Sequence, residues 1–168
     1  MALSASLQQA LNDQINTELG SAYIYLSMSA WCEEHSLPGC ASWMRNQARE
    51  EVTHGTKIYD HLVDRGGQVR LQAIAQPPAE FASTLHLFEQ VRHHEQLVTA
   101  SINALYGLAQ QERDYASQVF LEWFITEQVE EEKNSGQIVD SLKMIGDNRS
   151  ALLMLDRELG RRGAGEGE

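Results

Sequence analysis

The stretch Arg49-Glu50-Glu51-Val52-Thr53-His54-Gly55 lies in the middle of an amphipathic helical pattern. The apolar stripe around it runs through Met44, Ala48, Ile58 and Leu62. Helical spacing puts Glu51 at the centre of that face and His54 one turn on. Burying an ionised carboxylate without a partner costs several kcal/mol, so Glu51 must leave the core, take up a proton or meet a cation. Glu-x-x-His offers a metal an oxygen and a nitrogen from one helix face. Four residues arise easily by chance, so the rest of the chain has to supply the other donors.

A first helix, capped by Ser4 or Ser6, carries Leu7, Leu11, Ile15, Ala22, Tyr25 and Leu26 to about His35, and Glu18 falls inside this stripe. Ser36-Leu37-Pro38-Gly39 breaks it. Pro38 suits the first turn of the next helix, which carries Glu51 and ends at Arg65-Gly66-Gly67. From Gly66 to about Ala82, with Pro77-Pro78, no long helical period occurs. A loop of about 15 residues can run the length of a bundle, which lets the second and third helices lie parallel. Ser83 caps a third helix with Phe88, Val91, Val98, Ile102 and Leu105 on a face that Glu95 interrupts. After a break near Gln110-Gln111-Glu112, a fourth helix from about Arg113 to Ile145 carries Phe120, Phe124, Ile138 and Leu142, with Glu127 and Glu131 on the stripe. A short apolar segment, Ala151 to Leu155, predicts a fifth helix ending near Gly160. The expected fold is all-α: an up-down-down-up four-helix bundle with a long crossover and a short C-terminal helix, one domain over residues 1–160. Residues 161–168, glycine-rich and charged, are expected to be disordered.

Each long helix breaks its apolar face with acid near its own middle. Glu18 and Glu51 stand about 18 and about 15 residues from the first turn, so at 1.5 Å per residue they share a level to within about one helical turn. Glu95 and Gln128 are each about 16 residues from the break near residue 111, which levels them in the same way. A bundle then gathers Glu18, Glu51, His54, Glu95, Gln128 and Glu131 around one midpoint. A single glutamate is expected to roll out to solvent, whereas four at one level in four helices point to a site. Carboxylates with one imidazole and no thiolate suit iron or manganese better than structural zinc, and two ions bridged by Glu51 form a dinuclear iron site. Tyr25, two turns beyond Glu18, can reach a ligand carboxylate, donate an electron or be a buried tyrosine with an ordinary hydrogen bond. Trp123 reads as a core aromatic, and Met28, Met44, Met144 and Met154 read as packing residues.

The 168 residues suffice for one domain with a sizeable core, and 42% hydrophobic content with three prolines favours long helices. A net charge of -11 argues against nucleic acid or an anionic membrane as partner and is compatible with attracting cations. The N-terminus has no basic region, and no segment has about 18 uninterrupted apolar residues, so a cytoplasmic location is expected. Cys32 and Cys40, the two cysteines, are expected to be free and reduced.

Asn16-Thr17-Glu18-Leu19, Ala22-Tyr23-Ile24-Tyr25, Arg49-Glu50-Glu51-Val52-Thr53-His54, His94-Glu95 and Thr126-Glu127-Gln128-Val129-Glu130-Glu131 together resemble the non-haem ferritins, the bacterial kind above all. Ferritin-like di-iron bundles are themselves a standard example of such sites. The resemblance spans nearly the whole chain. It implies a first iron position at Glu18, Glu51 and His54, and a second at Glu51, Glu95 and Glu131 with Gln128 nearby. Tyr25 matches the tyrosine beside the family's site. The resemblance further implies a hollow homo-oligomeric shell of 24 subunits. Such a shell takes in Fe(II), oxidises it with dioxygen or hydrogen peroxide, and stores the ferric mineral. Bacterioferritins have a second Glu-x-x-His on the fourth helix and a haem-binding methionine after the helix-two glutamate. Glu130 and Val52 stand in those places here, so no haem is expected.

Two further expectations follow. Glu50, Glu127 and Glu130, sharing Glu131, resemble the extra iron site of bacterial non-haem ferritins, and like charges at these helical spacings repel. The segment Asn148 to Gly160 is expected to pack in an oligomer contact, with docking on its own subunit as the competing arrangement. A di-iron oxygenase or peroxidase of the same bundle type, and a helical scaffold with surface acids, are the competing functions. A mass near that of a 24-subunit shell in size-exclusion chromatography separates the ferritin-like expectation from both.

Overall fold

Ser4 Oγ accepts a 3.0 Å hydrogen bond from the Leu7 amide, and the chain enters α1, Ala5–Glu34. The computed structural model describes residues 3–162. Ser36, with φ 59°, turns the chain into α2, Pro38–Asp64, whose first residue is the expected proline. Ser83 Oγ accepts from the His86 amide at the start of α3, Thr84–Gln111. Asp114 accepts from the Ser117 amide at the start of α4, Tyr115–Ile145. The fourth helix therefore begins two residues later than the apolar pattern predicts, because Arg113 takes a left-handed φ of 57° and Asp114 supplies the cap. Gly146, with φ 54° and ψ -130°, ends α4 in a conformation that favours glycine, and α5, Arg149–Arg162, follows. No strand occurs among the described residues, and no helix is long and apolar enough to cross a membrane.

The core is in two parts, and together they reveal the topology. One cluster holds Leu7, Leu11 and Ile15 from α1, Ile58 and Leu62 from α2, Val98, Ile102 and Leu105 from α3, and Leu121 and Phe124 from α4. The other holds Tyr25 and Met28, Met44 and Ala48, Phe88 and Val91, and Ile138 and Leu142 from the same four helices. Residue numbers rise from the first cluster to the second in α1 and α4, and from the second to the first in α2 and α3. The bundle is thus up-down-down-up, as expected. Leu26 is exposed despite its place in the predicted stripe, because Tyr25 takes the inward position and its neighbour lies about 100° away around the helix. Met28 and Met44 pack in the core, but Met144 and Met154 are 82% and 71% exposed, contrary to the packing role expected of them.

The crossover between α2 and α3 is strapped to α1 along its length. Asn12, itself buried, donates through Nδ2 to the Gln68 carbonyl and accepts through Oδ1 from the Arg70 amide. Further along, Ser27 Oγ donates to the Pro78 carbonyl and Phe81 meets the edge of Trp31. At the other end of the bundle a two-pronged ion pair, 2.7 and 2.8 Å, ties Arg65 to Asp114, and His61 Nε2 lies 3.0 Å from Ser117 Oγ. The Arg65 guanidinium holds the Asp114 carboxyl well below the usual carboxylate range.

Helix α5 docks on its own subunit, chiefly against α2. Leu37 precedes α2 and has no side chain able to cap it. Asp156 of α5 reaches across instead and accepts from the Gly39 and Cys40 amides at 3.1 and 2.8 Å. Gly39 is required here, since a Cβ would stand 1.7 Å from the Asp156 carbonyl oxygen. Cys32 and Cys40 are free and buried in this corner; burial pushes the Cys32 thiol up to about 12 and Cys40 upward too, so neither is a ready thiolate. The intrasubunit arrangement thus accounts for Leu152, Leu155 and Leu159, while Leu153 and Met154 stay exposed on the outer side. The helix continues through Arg161 and Arg162, two residues past its expected end and into the segment expected to be disordered; the remaining tail, 163–168, lies outside the described residues. Replacing Asp156 with alanine removes the cap and should cost about 1–2 kcal/mol, lowering the melting temperature by several degrees. Gly39→Ala should cost more, and a melting temperature unchanged in both variants would contradict this account of α5.

Candidate metal centre

Between the two apolar clusters lies one polar layer, to which every long helix contributes. Glu18 sits between Ile15 and Ala22 in α1, Glu51 and His54 between Ala48 and Ile58 in α2, Glu95 between Val91 and Val98 in α3, and Gln128 and Glu131 between Phe124 and Ile138 in α4. All six side chains are buried. Gly55 helps to close the layer: a Cβ there would touch Leu19 and Glu18 at 3.4 to 3.5 Å, so α1 and α2 pack closely at this level.

The donor set is partly tied and partly bare. Gln14 Nε2 donates to Glu18 Oε1 at 2.7 Å, and Gln47 Nε2 donates to Glu131 Oε2 at 2.9 Å. Tyr25 donates its hydroxyl proton to Glu95 Oε1, and Gln128 Nε2 donates to Glu95 Oε2 at 3.2 Å. Glu18 Oε2 and Glu51 Oε2 have no hydrogen-bond partner although both are buried. Glu51 Oε2 lies 3.5 Å from His54 Nδ1. Among the described residues, Glu18, Glu51 and His54 form the group of three possible metal ligands whose donor atoms all lie within 4.8 Å of one another. Two bare carboxylate oxygens and an imidazole nitrogen within reach of one another fit a hard or borderline divalent cation such as Fe(II) or Mn(II).

Without a cation the layer holds protons. Burial, reinforced by the Glu51 charge, pushes the Glu18 carboxyl well above the ordinary glutamate range. Burial does the same to Glu51 and raises Glu95. Glu131 is pushed up to about 8 by burial and then by the charges of Glu95, Glu50 and Glu127. The Tyr25 hydroxyl is pushed upward by burial and by Glu95, so it stays protonated and serves as a donor.

The placement of the other candidates differs among them. Glu50 and Glu127 are half-buried, and both act electrostatically on Glu131, whereas Glu130 points to solvent. Trp123 is 40% exposed and so is not the core aromatic its spacing suggests. Its indole meets the His54 ring edge-on at 5.3 Å, with Lys57 Nζ 4.5 Å from the ring centroid. Three glutamines hold carboxylates of the layer, and of these Gln128 is among the residues expected from the sequence, whereas Gln14 and Gln47 are not. For Gln14 the signal is its place four residues before Glu18 on the same helix face, whereas Gln47 stands four residues before Glu51 but holds Glu131.

The raised carboxyls fix a pH dependence. Unfolded, these acids ionise near about 4.3; folded, they hold their protons to higher pH, Glu131 to about 8. Between those values the folded chain binds more protons than the unfolded one. The stability this contributes is therefore fully present below about pH 4.3 and is lost as pH rises through the folded values. The melting temperature of the metal-free protein should fall between pH 5 and about pH 8, and saturating Co(II) should reverse the fall. Glu131→Gln should flatten the upper part of that decline; a melting temperature that rises across this range would contradict the assignment.

Comparison with known proteins agrees with this geometry. Residues 8–145 match the Ferritin-like domain. The chain is 40% identical over 157 residues to a bacterial non-heme ferritin of Escherichia coli O157:H7, covering 94% of this chain and 95% of that one. It is 41% identical over 160 residues to a bacterial non-heme ferritin of Staphylococcus aureus strain USA300, covering 95% and 96%. An open-pore ferritin from the archaeon Archaeoglobus fulgidus superposes with a TM-score of 0.94 at 45% identity, covering 95% of this chain and 98% of that one. A buried Glu-x-x-His on α2, a carboxylate layer contributed by four helices and these likenesses along nearly the full length converge, and the chain belongs to the ferritin family, among its bacterial non-haem members.

Proposed function

We propose that the protein is an iron-storage subunit with ferroxidase activity, acting in the cytosol as a 24-subunit shell. The observation that carries this reading is the convergence of Glu18, Glu51 and His54 with two carboxylate oxygens left bare. Iron is the substrate and the cargo. Glu18, Glu51 and His54 take one Fe(II); Glu51, Glu95 and Glu131 take a second, with Gln128 holding Glu95. As the cations enter they displace protons from the carboxyls, which become the charged partners the ions need. Each Fe(II) gives up one electron. Dioxygen takes two electrons and two protons and leaves as hydrogen peroxide, or hydrogen peroxide takes two electrons and two protons and leaves as two waters.

Charge balance explains why the product moves on. Four carboxylates neutralise two divalent ions, but two ferric ions exceed them by two charges. Glu50 and Glu127, half-buried beside Glu131, lie where the excess can be drawn. With Glu130 they form a third, weaker position that passes iron toward the mineral.

Glu51→Ala or Glu18→Ala should abolish rapid Fe(II) oxidation while the protein stays folded, because removing a repelling charge from a buried layer can stabilise the metal-free fold. Normal oxidation rates in a folded Glu51→Ala protein would contradict the centre. The wild type should elute near roughly 450 kDa, given 24 copies of an 18.9 kDa chain, and should retain many irons per subunit after oxidation. Oxidation without retention would instead favour an oxygenase of the same bundle type. For the third position, iron-soaked crystals should show density at about 2.0–2.5 Å from at least two of Glu50, Glu127, Glu130 and Glu131. A Glu50→Ala, Glu130→Ala double variant with an unchanged ratio of Fe(II) to oxidant and unchanged later additions would remove it.

A further inference from the structure

Glu18 differs from the other buried carboxylates in how it is held. It reaches the layer from α1 and is held there by a neighbour on its own helix, whereas Glu95 and Glu131 are held by donors from other helices. That neighbour, Gln14, is buried and is itself held from α3, where Ser101 Oγ donates to Gln14 Oε1. Gln14 Nε2 donates to Glu18 Oε1 and Ser101 Oγ donates to Gln14 Oε1, so the relay runs from Ser101 through Gln14 to Glu18. A cation beside Glu18 favours its ionised form, which only accepts hydrogen bonds, and that form requires the amide nitrogen of Gln14 to face it. Turned over, the amide would set its oxygen against the ionised Glu18 carboxylate and lose that bond, even though Ser101 Oγ could still accept from its nitrogen.

We propose that Gln14, locked by Ser101, is a positioning residue for the first metal position: it anchors Glu18 Oε1 so that Glu18 Oε2 stays aimed at Glu51 and His54. The inference rests on the ferroxidase reading and adds to it two residues that do not touch the metal. A glutamate side chain has three rotatable bonds, and near one carboxylate and one imidazole it has other staggered arrangements to adopt. Holding one oxygen by a 2.7 Å hydrogen bond leaves the other as the single bare oxygen of Glu18. Partners of this kind around a ligand typically change metal affinity by about 10- to 100-fold when removed.

The site also separates positioning from packing. A crevice of about 250 Å³ opens between α1 and α3 beside Gln14 and Ser101, walled by Ala10 and Ala104. When the amide is lost, water entering through the crevice can satisfy Glu18 Oε1, so the fold need not suffer while the aim of Oε2 is lost.

The test uses the intact metal-free protein and Co(II), whose visible absorption reports both affinity and coordination geometry. Gln14→Met keeps the length of the side chain and removes the donor. It should weaken one of two Co(II) binding steps by about 10- to 100-fold and change that step's band shape, leaving the other step in place. Ser101→Ala should weaken the same step by a smaller factor, and Ser101→Thr, which keeps the hydroxyl, should restore it. In Fe(II) oxidation the loss should appear in the iron concentration giving half-maximal rate more than in the limiting rate. Unchanged Co(II) affinity in Gln14→Met, or Ser101→Thr as impaired as Ser101→Ala, overturns the proposal while the metal centre stands. A wild type that binds no Co(II) overturns the centre and the proposal together.

Discussion

Four carboxylates in one buried layer are the constraint on which the rest of this structure depends. Each ionised carboxylate buried without a cation carries a penalty of several kcal/mol, and neighbouring ones repel. The metal-free chain answers with protons, raising Glu18, Glu51, Glu95 and Glu131, and with neutral donors, giving Glu18, Glu95 and Glu131 an amide or hydroxyl each. Glu18 and Glu51 each keep one bare buried oxygen, and Glu51 has His54 beside it on α2. Glu51 is the carboxylate at the centre of the layer, and the one that both metal positions share in the proposed reading.

The layer can survive only because the apolar clusters on either side hold the helices in register. Leucine, isoleucine and valine dominate the cluster that contains Leu7 and Phe124, while the cluster that contains Tyr25 and Trp43 is richer in aromatics. Tyr25 belongs to the second cluster and borders the layer: its ring packs edge-on against Trp43 while its hydroxyl reaches Glu95. The strap nailed to α1 through Asn12 and Ser27 permits α2 and α3 to run parallel, which brings Glu51 and Glu95 to one level. Asp156 then caps α2 from α5, so the helix that carries Glu51 and His54 is pinned at its start by the C-terminal helix.

Much of this was legible in the sequence because it follows from periodicity. A stripe with period 3.6 and an acid at its midpoint determines which face Glu18, Glu51, Glu95 and Glu131 share, and turn positions determine their level. What periodicity cannot supply is the rotation of a residue at the stripe's edge. Leu26 and Trp123 both fit the stripe within one position, yet both are substantially exposed. Nor does a stripe show what an element from elsewhere covers: Met144 and Met154 are apolar and helical, but α5 turns its Leu155 and Leu159 inward and leaves those methionines outside. Gln14 and Gln47 are hidden in the sequence for a different reason. A glutamine inside an apolar stripe looks like a tolerated polar residue until its partner is known, and Gln47 finds its partner, Glu131, 84 residues away.

The same electrostatics separates holding a cation from passing it on. Glu18 and Glu51 are buried almost completely, where each charge acts strongly on a nearby ion, while Glu50 and Glu127 are half in water and screened. A cation moving from the first pair to the second trades strong, dry ligands for weaker, wetter ones that exchange more readily. Glu131 spans the two environments: Gln47 holds one of its oxygens from within the bundle, while the charges of Glu50 and Glu127 act on it from the bundle's edge. Oxidation raises the charge on the ion and with it the attraction of every acid nearby, including those outside the layer. In the proposed reading, the position of Glu131, bonded inward and repelled from outside, makes it the carboxylate whose loss or protonation would most directly uncouple oxidation at the centre from transfer to the mineral.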